Sequence, residues 1–347
     1  MPLTTPSLAA VWILLAAALD WGIGDPVGWP HPVVVMGWWI GRLRRTAERV
    51  AGNSPPLLRC AGLVITLLMV FSSGLAGWGL EQLALGRWTW MPSGLQGLGQ
   101  ILVVVGLGSA LAGRSLQQAV LRVTRALRTG PLGTARDQLQ WIVGRDTKEL
   151  DAEEVLRAAA ETAAENAVDG LFAPLFWMIA GLVAMQLTGD GPGPLALAWS
   201  FKATSTLDSM LGYRIGSLRW LGTAGARFDD LLVWLPCRFV MVTLPLVTQP
   251  CWRWWSTWIA AERDGRFDPS PNAGRAEAIY AHCIGVRLGG LNRYGDRWIE
   301  KPTLAAAEPP PDERAIRCIL AANRRLELLW LLAPLVLLGA ELSGVVQ

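Results

Sequence analysis

The reading of this chain turns on Ile142–Trp177, IVGRDTKELDAEEVLRAAAETAAENAVDGLFAPLFW, where a charged helix runs straight into an apolar span. Gly144 and Asp146-Thr147 read as a turn, and Asp151-x-x-Glu154 fits a capping box that starts a helix. Strong helix formers carry it to about Ala167. Steps of four put Arg157, Glu161, Glu165 and Asp169 in one stripe. Like charges at i,i+4 repel, so three carboxylates in a row call for a cation among them, either Arg157 or a metal. A solvated helix face is the plainer explanation of such a stripe. Asp169-Gly170, however, stands at the mouth of the apolar run Leu171–Leu187, where ionisable groups are costly and tend to be functional.

Outward from that stretch, composition sets the class. The chain has 347 residues, 52% apolar and 17% charged, with 19 Trp. Soluble proteins carry about a quarter charged residues, and here the apolar residues are clumped, so an integral membrane protein is expected. A net charge of +3 does not imply nucleic acid. Five scattered cysteines without CxxC spacing support neither zinc nor a disulfide framework, and two histidines exclude a His-rich metal site. Walker and Rossmann fingerprints are absent.

Apolar runs at Leu8–Leu19, Leu57–Leu80, Gly97–Ala112, Leu171–Leu187, Leu195–Leu211, Leu231–Val247 and Leu328–Ala340 predict an all-α polytopic membrane protein. It should have about five to seven transmembrane or re-entrant helices and cytoplasmic helical loops. The first run lacks the basic flank of a signal peptide and reads as a retained span. Arginines at 42, 44, 45, 49 and 59, and the basic segment Arg114–Arg145, belong in the cytoplasm by the positive-inside rule. The organisation expected is a membrane domain over 1–250 with a cytoplasmic loop at 114–170, a charged cytoplasmic subdomain at 251–327, and a C-terminal transmembrane helix at 328–347. Pro245 and Pro250 suggest a broken or re-entrant hairpin that keeps the subdomain inside.

Four further places draw attention. In Trp29-Pro30-His31-Pro32, prolines on both sides stiffen a surface loop, and Asp25 could orient the imidazole of His31. Lys202 and Asp208 lie six residues apart inside an otherwise apolar segment, which points to a mutual ion pair or a polar cavity. Asp229-Asp230 precede the span that carries Arg238, and Gly289-Gly290 could let backbone approach a phosphate.

Several blocks occurring in order resemble the CobD/CbiB family of cobalamin biosynthesis, the cobinamide-phosphate synthases. They are LDWGIGDPVGWPHPV (Leu19–Val33), IVGRDTKELD (Ile142–Asp151), AAENAVDGLFAPLFW (Ala163–Trp177), KATSTLDSMLGYR (Lys202–Arg214), RFDDLLVWLPCR (Arg227–Arg238), PSPNAG (Pro269–Gly274) and GVRLGG (Gly285–Gly290). Ser205 and Val233 depart from the asparagines expected there. The resemblance implies a multi-pass inner-membrane enzyme, its active site facing the cytoplasm. Such an enzyme joins the propionate carboxylate of adenosylcobyric acid to aminopropanol or its O-phosphate, or to ethanolamine phosphate. Its expected partners are that corrinoid, the aminoalkyl phosphate, membrane lipid and other cobalamin-assembly enzymes.

An unactivated carboxylate does not acylate an amine, so ATP and Mg²⁺ are the expected cofactors, with an acyl phosphate between. On that basis Glu161, Glu165, Asp169, Asp229 and Asp230 are candidate metal ligands. Arg145, Asn166, Arg214, Arg238, Asn272, Gly289 and Gly290, with Lys202, are candidates for substrate and phosphate binding. Asp25, His31, Lys202 and Asp208 are the catalytic candidates, the first two for deprotonating the amine. The competing readings are an ion-coupled membrane transporter using Lys202 and Asp208 and, behind it, a polyprenyl-type transferase, which lacks its paired acidic motifs here.

Overall fold

A computed structural model describes residues 4–25, 28, 31–88, 90–92, 94–294 and 297–342. Its elements in chain order are α1 (Thr5–Gly22), α2 (Pro32–Ala51), α3 (Pro55–Ala84), α4 (Gly94–Gly108), α5 (Gly113–Thr129), α6 (Leu132–Gln140) and α7 (Ala152–Ala167). A π-helical turn, Val168–Phe172, joins α7 to α8 (Ala173–Thr188). There follow α9 (Pro194–Leu211), α10 (Leu218–Leu221), α11 (Thr223–Thr248), α12 (Trp254–Gly265), α13 (Ala273–Ile284), the hairpin β1 (Leu288–Tyr294) and β2 (Arg297–Leu304), α14 (Glu313–Trp330) and α15 (Leu332–Leu342).

Among the described residues, five stretches are long and apolar enough to cross a bilayer: Thr5–Gly22, Pro55–Ala84, Gly94–Thr129, Ala152–Thr188 and Thr223–Thr248. The chain is an all-α polytopic membrane protein with a short hairpin. Two runs read as spans fall outside those five. The α9 segment is diluted by Lys202, Asp208 and its Ser/Thr residues, and the last apolar run is divided between α14 and α15. No helix break occurs at Pro245; α11 continues through Pro236 and Pro245 to Thr248.

The chain divides into two compact units. One comprises Met1–Ala112, Ala173–Leu232 and Leu331–Gln347. Its core is built on α3, which packs along α9, with Met36 and Ile40 of α2 and Leu218 and Leu221 of α10 closing over Leu58, Ile65, Met69, Leu207 and Leu211. The helices approach closely because Gly77 has no side chain: a Cβ there would stand 2.9 Å from Ala196. Glu81, fully buried on α3, accepts from the N–H groups of Gly193 (3.0 Å) and Leu195 (2.6 Å). It thereby caps the start of α9, which has no cap from its own N-terminal residue.

The second unit comprises Gly113–Phe172 and Val233–Trp330, so segments 114–170 and 251–327 share it with the C-terminal part of α11. Its centre is α7. The capping box is formed: Glu154 N–H donates to Asp151 Oδ1 at 2.8 Å, and Asp151 N–H to Glu154 Oε2 at 3.0 Å. Ala158, Ala159, Ala160, Ala163, Ala164 and Ala167 are all buried, which lets α5, α6, α13 and α14 pack around the helix. Trp330 sits with its ring centroid 5.3 Å from that of Phe172 and 6.4 Å from that of Phe239. The β1–β2 hairpin pairs Gly290 with Lys301 and Asn292 with Ile299, with an irregularity between Leu288 and Gly290. Gly289 there has φ +79°, and a Cβ on it would collide with the Pro302 carbonyl.

Candidate functional site

The cation required by the acidic stripe is present twice in the second unit. Arg157 Nη1 donates to Glu161 Oε1 at 3.1 Å across one helical turn, and Arg145, from the loop before α7, donates to Oε2. Gly289 N–H donates to Glu161 Oε1 at 2.9 Å. Arg145 also reaches Asn292 Oδ1, and Arg157 donates to the carbonyls of Gly289 (2.6 Å) and Leu291 (3.0 Å). Glu161, with its side chain only 4% exposed, is therefore the hub that fastens β1 to α7. Both of its oxygens are engaged by arginines, so it is poorly placed as a metal ligand.

Beside this hub lies a cavity of about 290 Å³. Arg145, Glu161, Glu165, Asn166, Glu277, Asn292 and Lys301 line it, with Ile142, Val143, Gly144 and Thr162 completing the wall. Lys301 Nζ stands 2.9 Å from Glu277 Oε1 and 3.8 Å from Asp268 Oδ2. Burial alone would lower the Lys301 pKa, but Glu277, Glu165 and Asp268 outweigh it and raise it, so the ammonium stays charged. Burial pushes Glu277 up to about 8 against the pull of Lys301. Glu165 has no hydrogen-bond or ion-pair partner among the described residues, although Lys301, Asp268, Glu161 and Arg145 all act on its charge.

The remaining predicted residues of this unit form a second knot. Arg238 donates to Asn272 Oδ1 at 2.7 Å and to the Pro271 carbonyl at 2.9 Å, and it stacks over Trp234 with 4.8 Å to the ring centroid. Arg275 grips Glu262 with distances of 2.6–3.0 Å. The PSPNAG motif thus ties α11 to the start of α13, and its Asn272 is buried. Asp169 sits in the π turn, a type of distortion common at functional sites. Gly290, with φ +92°, faces open space, whereas the Gly289 N–H is already given to Glu161.

In the first unit, Asp208 on α9 and Asp229 and Asp230 on α11 are close enough to act on one another's charge. Lys202 bears on Asp229. Asp229 Oδ1 is buried and has no hydrogen-bond partner among the described residues. Arg214 is exposed in the turn after α9. His31 is the N-cap of α2: its Nδ1 accepts from Val33 N–H at 3.3 Å, and its Nε2 lies 3.1 Å from Asp25 Oδ1. An accepting Nδ1 puts the proton on Nε2, which donates to Asp25, so neither nitrogen offers a lone pair in this arrangement. Of the stiff loop before it, Pro26, Val27, Trp29 and Pro30 lie outside the described residues.

Among the described residues, no three His, Cys, Asp or Glu side chains gather as a metal site. Sequence reasoning missed Lys301, Glu277 and Asn292; Arg157 it named as a cation for the stripe, and Arg157 pairs with Glu161. RWIEKPTL (Arg297–Leu304) does not alternate, and the signs of the strand carrying Lys301 are its strand-favouring residues Trp298, Ile299 and Thr303.

Comparison with known proteins agrees over almost the whole chain. A family model described as CobD/Cbib protein matches residues 13–322. "Cobalamin biosynthesis protein CobD" of Synechocystis sp. is 38% identical over 340 residues, covering 98% of this chain and 94% of that protein. The protein of the same name from Klebsiella pneumoniae is 37% identical over 329 residues, 93% of each chain. "Cobalamin biosynthesis protein CbiB" of Salmonella typhimurium is 36% identical over 340 residues, 95% of this chain and 98% of that one. No solved structure matches. With a family match spanning 13–322 and relatives aligned almost end to end, the chain belongs to the CobD/CbiB family.

Proposed function

We propose that this membrane protein acts in cobalamin biosynthesis as an ATP-dependent ligase. It joins a propionate carboxylate of adenosylcobyric acid to the amine of an aminoalkyl phosphate, (R)-1-amino-2-propanol O-phosphate or ethanolamine phosphate. The relatives' names support the pathway. The observation that carries the reaction class is the polar cavity of the second unit, where fixed cations and a carboxylate without a partner share one wall.

The chemistry begins with transfer of the ATP γ-phosphoryl group to a carboxylate oxygen, giving an acyl phosphate and ADP. The ammonium gives up one proton to solvent, and the amine nitrogen so formed attacks the carbonyl carbon; the bond to the phosphate oxygen breaks, and the departing inorganic phosphate takes the second proton from nitrogen. Arg145 and Lys202, with Arg214 as an exposed cation, supply positive charge to phosphate oxygens. Arg238 and Asn272 act indirectly, by holding the PSPNAG turn. Mg²⁺ brought by the nucleotide would neutralise phosphate charge, and such an ion asks only one or two carboxylates of the protein. Asp229, with its buried unpartnered Oδ1 and with Asp208 and Asp230 beside it, fits that demand in the first unit; Asp169 is the further candidate in the second. The site faces the cytoplasm of the inner membrane, a reading supported by the arginines of 42–59 and 114–145.

The test is ATP consumption by the purified protein in detergent. Hydrolysis to ADP that requires both corrinoid and amine, with one amide formed per ATP, is the expected result. ATP turnover indifferent to either substrate, or ion-coupled uptake without ATP use, would overturn the ligase.

A further inference from the structure

The cavity beside Glu161 is too polar for two of the three substrates of that reaction. Its volume of about 290 Å³ has room for the roughly nine non-hydrogen atoms of an aminopropyl phosphate, since a cavity needs only ~10–15 Å³ to hold one water. No aromatic side chain lines it. A corrin ring or a nucleobase presents broad apolar faces and is held by apolar and aromatic walls.

The charges are also sorted. Arg145 is anchored by Glu161 and Asn292, and Lys301 by Glu277. Each is thus fixed in position while keeping unused N–H donors, since a guanidinium has five and an ammonium three. Glu165 is one helical turn from Glu161 and opens on the same space, and it alone of the three wall carboxylates has no cation committed to it. Lys301 and Arg145 act on its charge without bonding to it, so a cation bonded directly to it would lower the cost of burying that charge. A ligand that completes this wall carries an ammonium at one end and an anionic group at the other.

We infer that the cavity lined by Arg145, Glu165 and Lys301 is the seat of the aminoalkyl phosphate, with Glu165 receiving its ammonium and Lys301 and Arg145 its phosphate. The inference rests on the ligase reading above and assigns Glu165 to the amine rather than to a metal. It makes Lys301 a specificity-determining residue that distinguishes phosphorylated from unphosphorylated amino alcohols.

The experiment is calorimetric titration of the full-length protein in detergent, without ATP or corrinoid, using ethanolamine phosphate, ethanolamine and inorganic phosphate. Ethanolamine phosphate should bind at least roughly tenfold more tightly than either fragment, the usual worth of one charged hydrogen bond. Glu165→Gln should weaken ethanolamine phosphate and ethanolamine roughly ten- to hundredfold and leave inorganic phosphate unchanged. Lys301→Met should weaken the two phosphate-bearing ligands alone, and Lys301→Arg should restore them. In turnover, Glu165→Gln should raise KM for the amine and leave KM for ATP and corrinoid as they were. Absence of ethanolamine phosphate binding to the wild type, or a Glu165→Gln defect that falls on ATP, overturns the assignment. Amide synthesis untouched by either substitution would sink the cavity and spare the ligase; binding without any amide synthesis would do the reverse.

Discussion

Glu161→Gln is the substitution whose consequence the geometry defines most sharply. The side chain keeps its length, so packing around α7 is preserved. One carboxylate oxygen becomes an NH₂ group, and a donor then faces an arginine donor. The wild-type carboxylate accepts from Arg145, from Arg157 at 3.1 Å and from Gly289 N–H at 2.9 Å. Exposure of the two arginine side chains is 7% and 15%, so water cannot take over the lost contacts. Removing one partner of a buried ion pair costs about 3–5 kcal/mol. At ~1.4 kcal/mol per factor of ten, hydrogen exchange in a peptide covering Gly289–Asn292 should accelerate by roughly two to three and a half orders of magnitude. The assay is exchange mass spectrometry on the full chain in micelles. Peptides from the α3–α9 core serve as reference, since they belong to the other unit. An acceleration below about tenfold would refute the argument, because the hairpin would then be held by something other than Glu161.

Three other outcomes are expected. Glu277 sits at about 8 in the folded protein against an ordinary 4.5. The folded state thus retains a proton that the unfolded chain has lost, and this contribution to stability falls as pH rises through that window; denaturant midpoints across the window should flatten in Glu277→Gln, and an unchanged slope would dismiss the pair. Gly289→Ala places a Cβ against the Pro302 carbonyl at a φ of +79°, so it should lower the unfolding free energy by more than the ~1 kcal/mol typical of an ordinary glycine change; a stabilised variant would show that this backbone conformation is not fixed. Asp229→Asn should cut ATP-dependent amide synthesis about a hundredfold or more with the protein still inserted, and activity within about tenfold of wild type would remove Asp229 from the metal-binding reading.

The parts of this molecule that a sequence can announce are those whose partners are near in the chain. The capping box at Asp151 and Glu154 and the four-residue step from Arg157 to Glu161 are local, and both stand in the structure as read. The spans are legible for a different reason: a bilayer demands a minimum length of apolar helix whatever else the fold does. The hub itself was only half visible. Glu161 meets Gly289 across 128 residues, and no helical or strand period carries information over that distance. Lys301 was hidden in the same way. Its strand lies in a mixed-charge segment, and Arg297–Leu304 carries no apolar–polar alternation that would mark it.

His31 shows a different limit. Its residue type, its prolines and the nearby Asp25 all pointed to acid–base work. Whether an imidazole can act as a base depends on where its second nitrogen is spent. Here Val33 N–H occupies Nδ1 as the first hydrogen bond of α2, and Asp25 occupies Nε2, so the same Asp–His pair that suggests a catalytic dyad serves to start a helix. A base at that position would first have to release one of those two contacts. The unpartnered carboxylate of Glu165 has no such prior commitment, and that difference in engagement, rather than the identity of the residue, ranks it above His31 as the group that meets the amine.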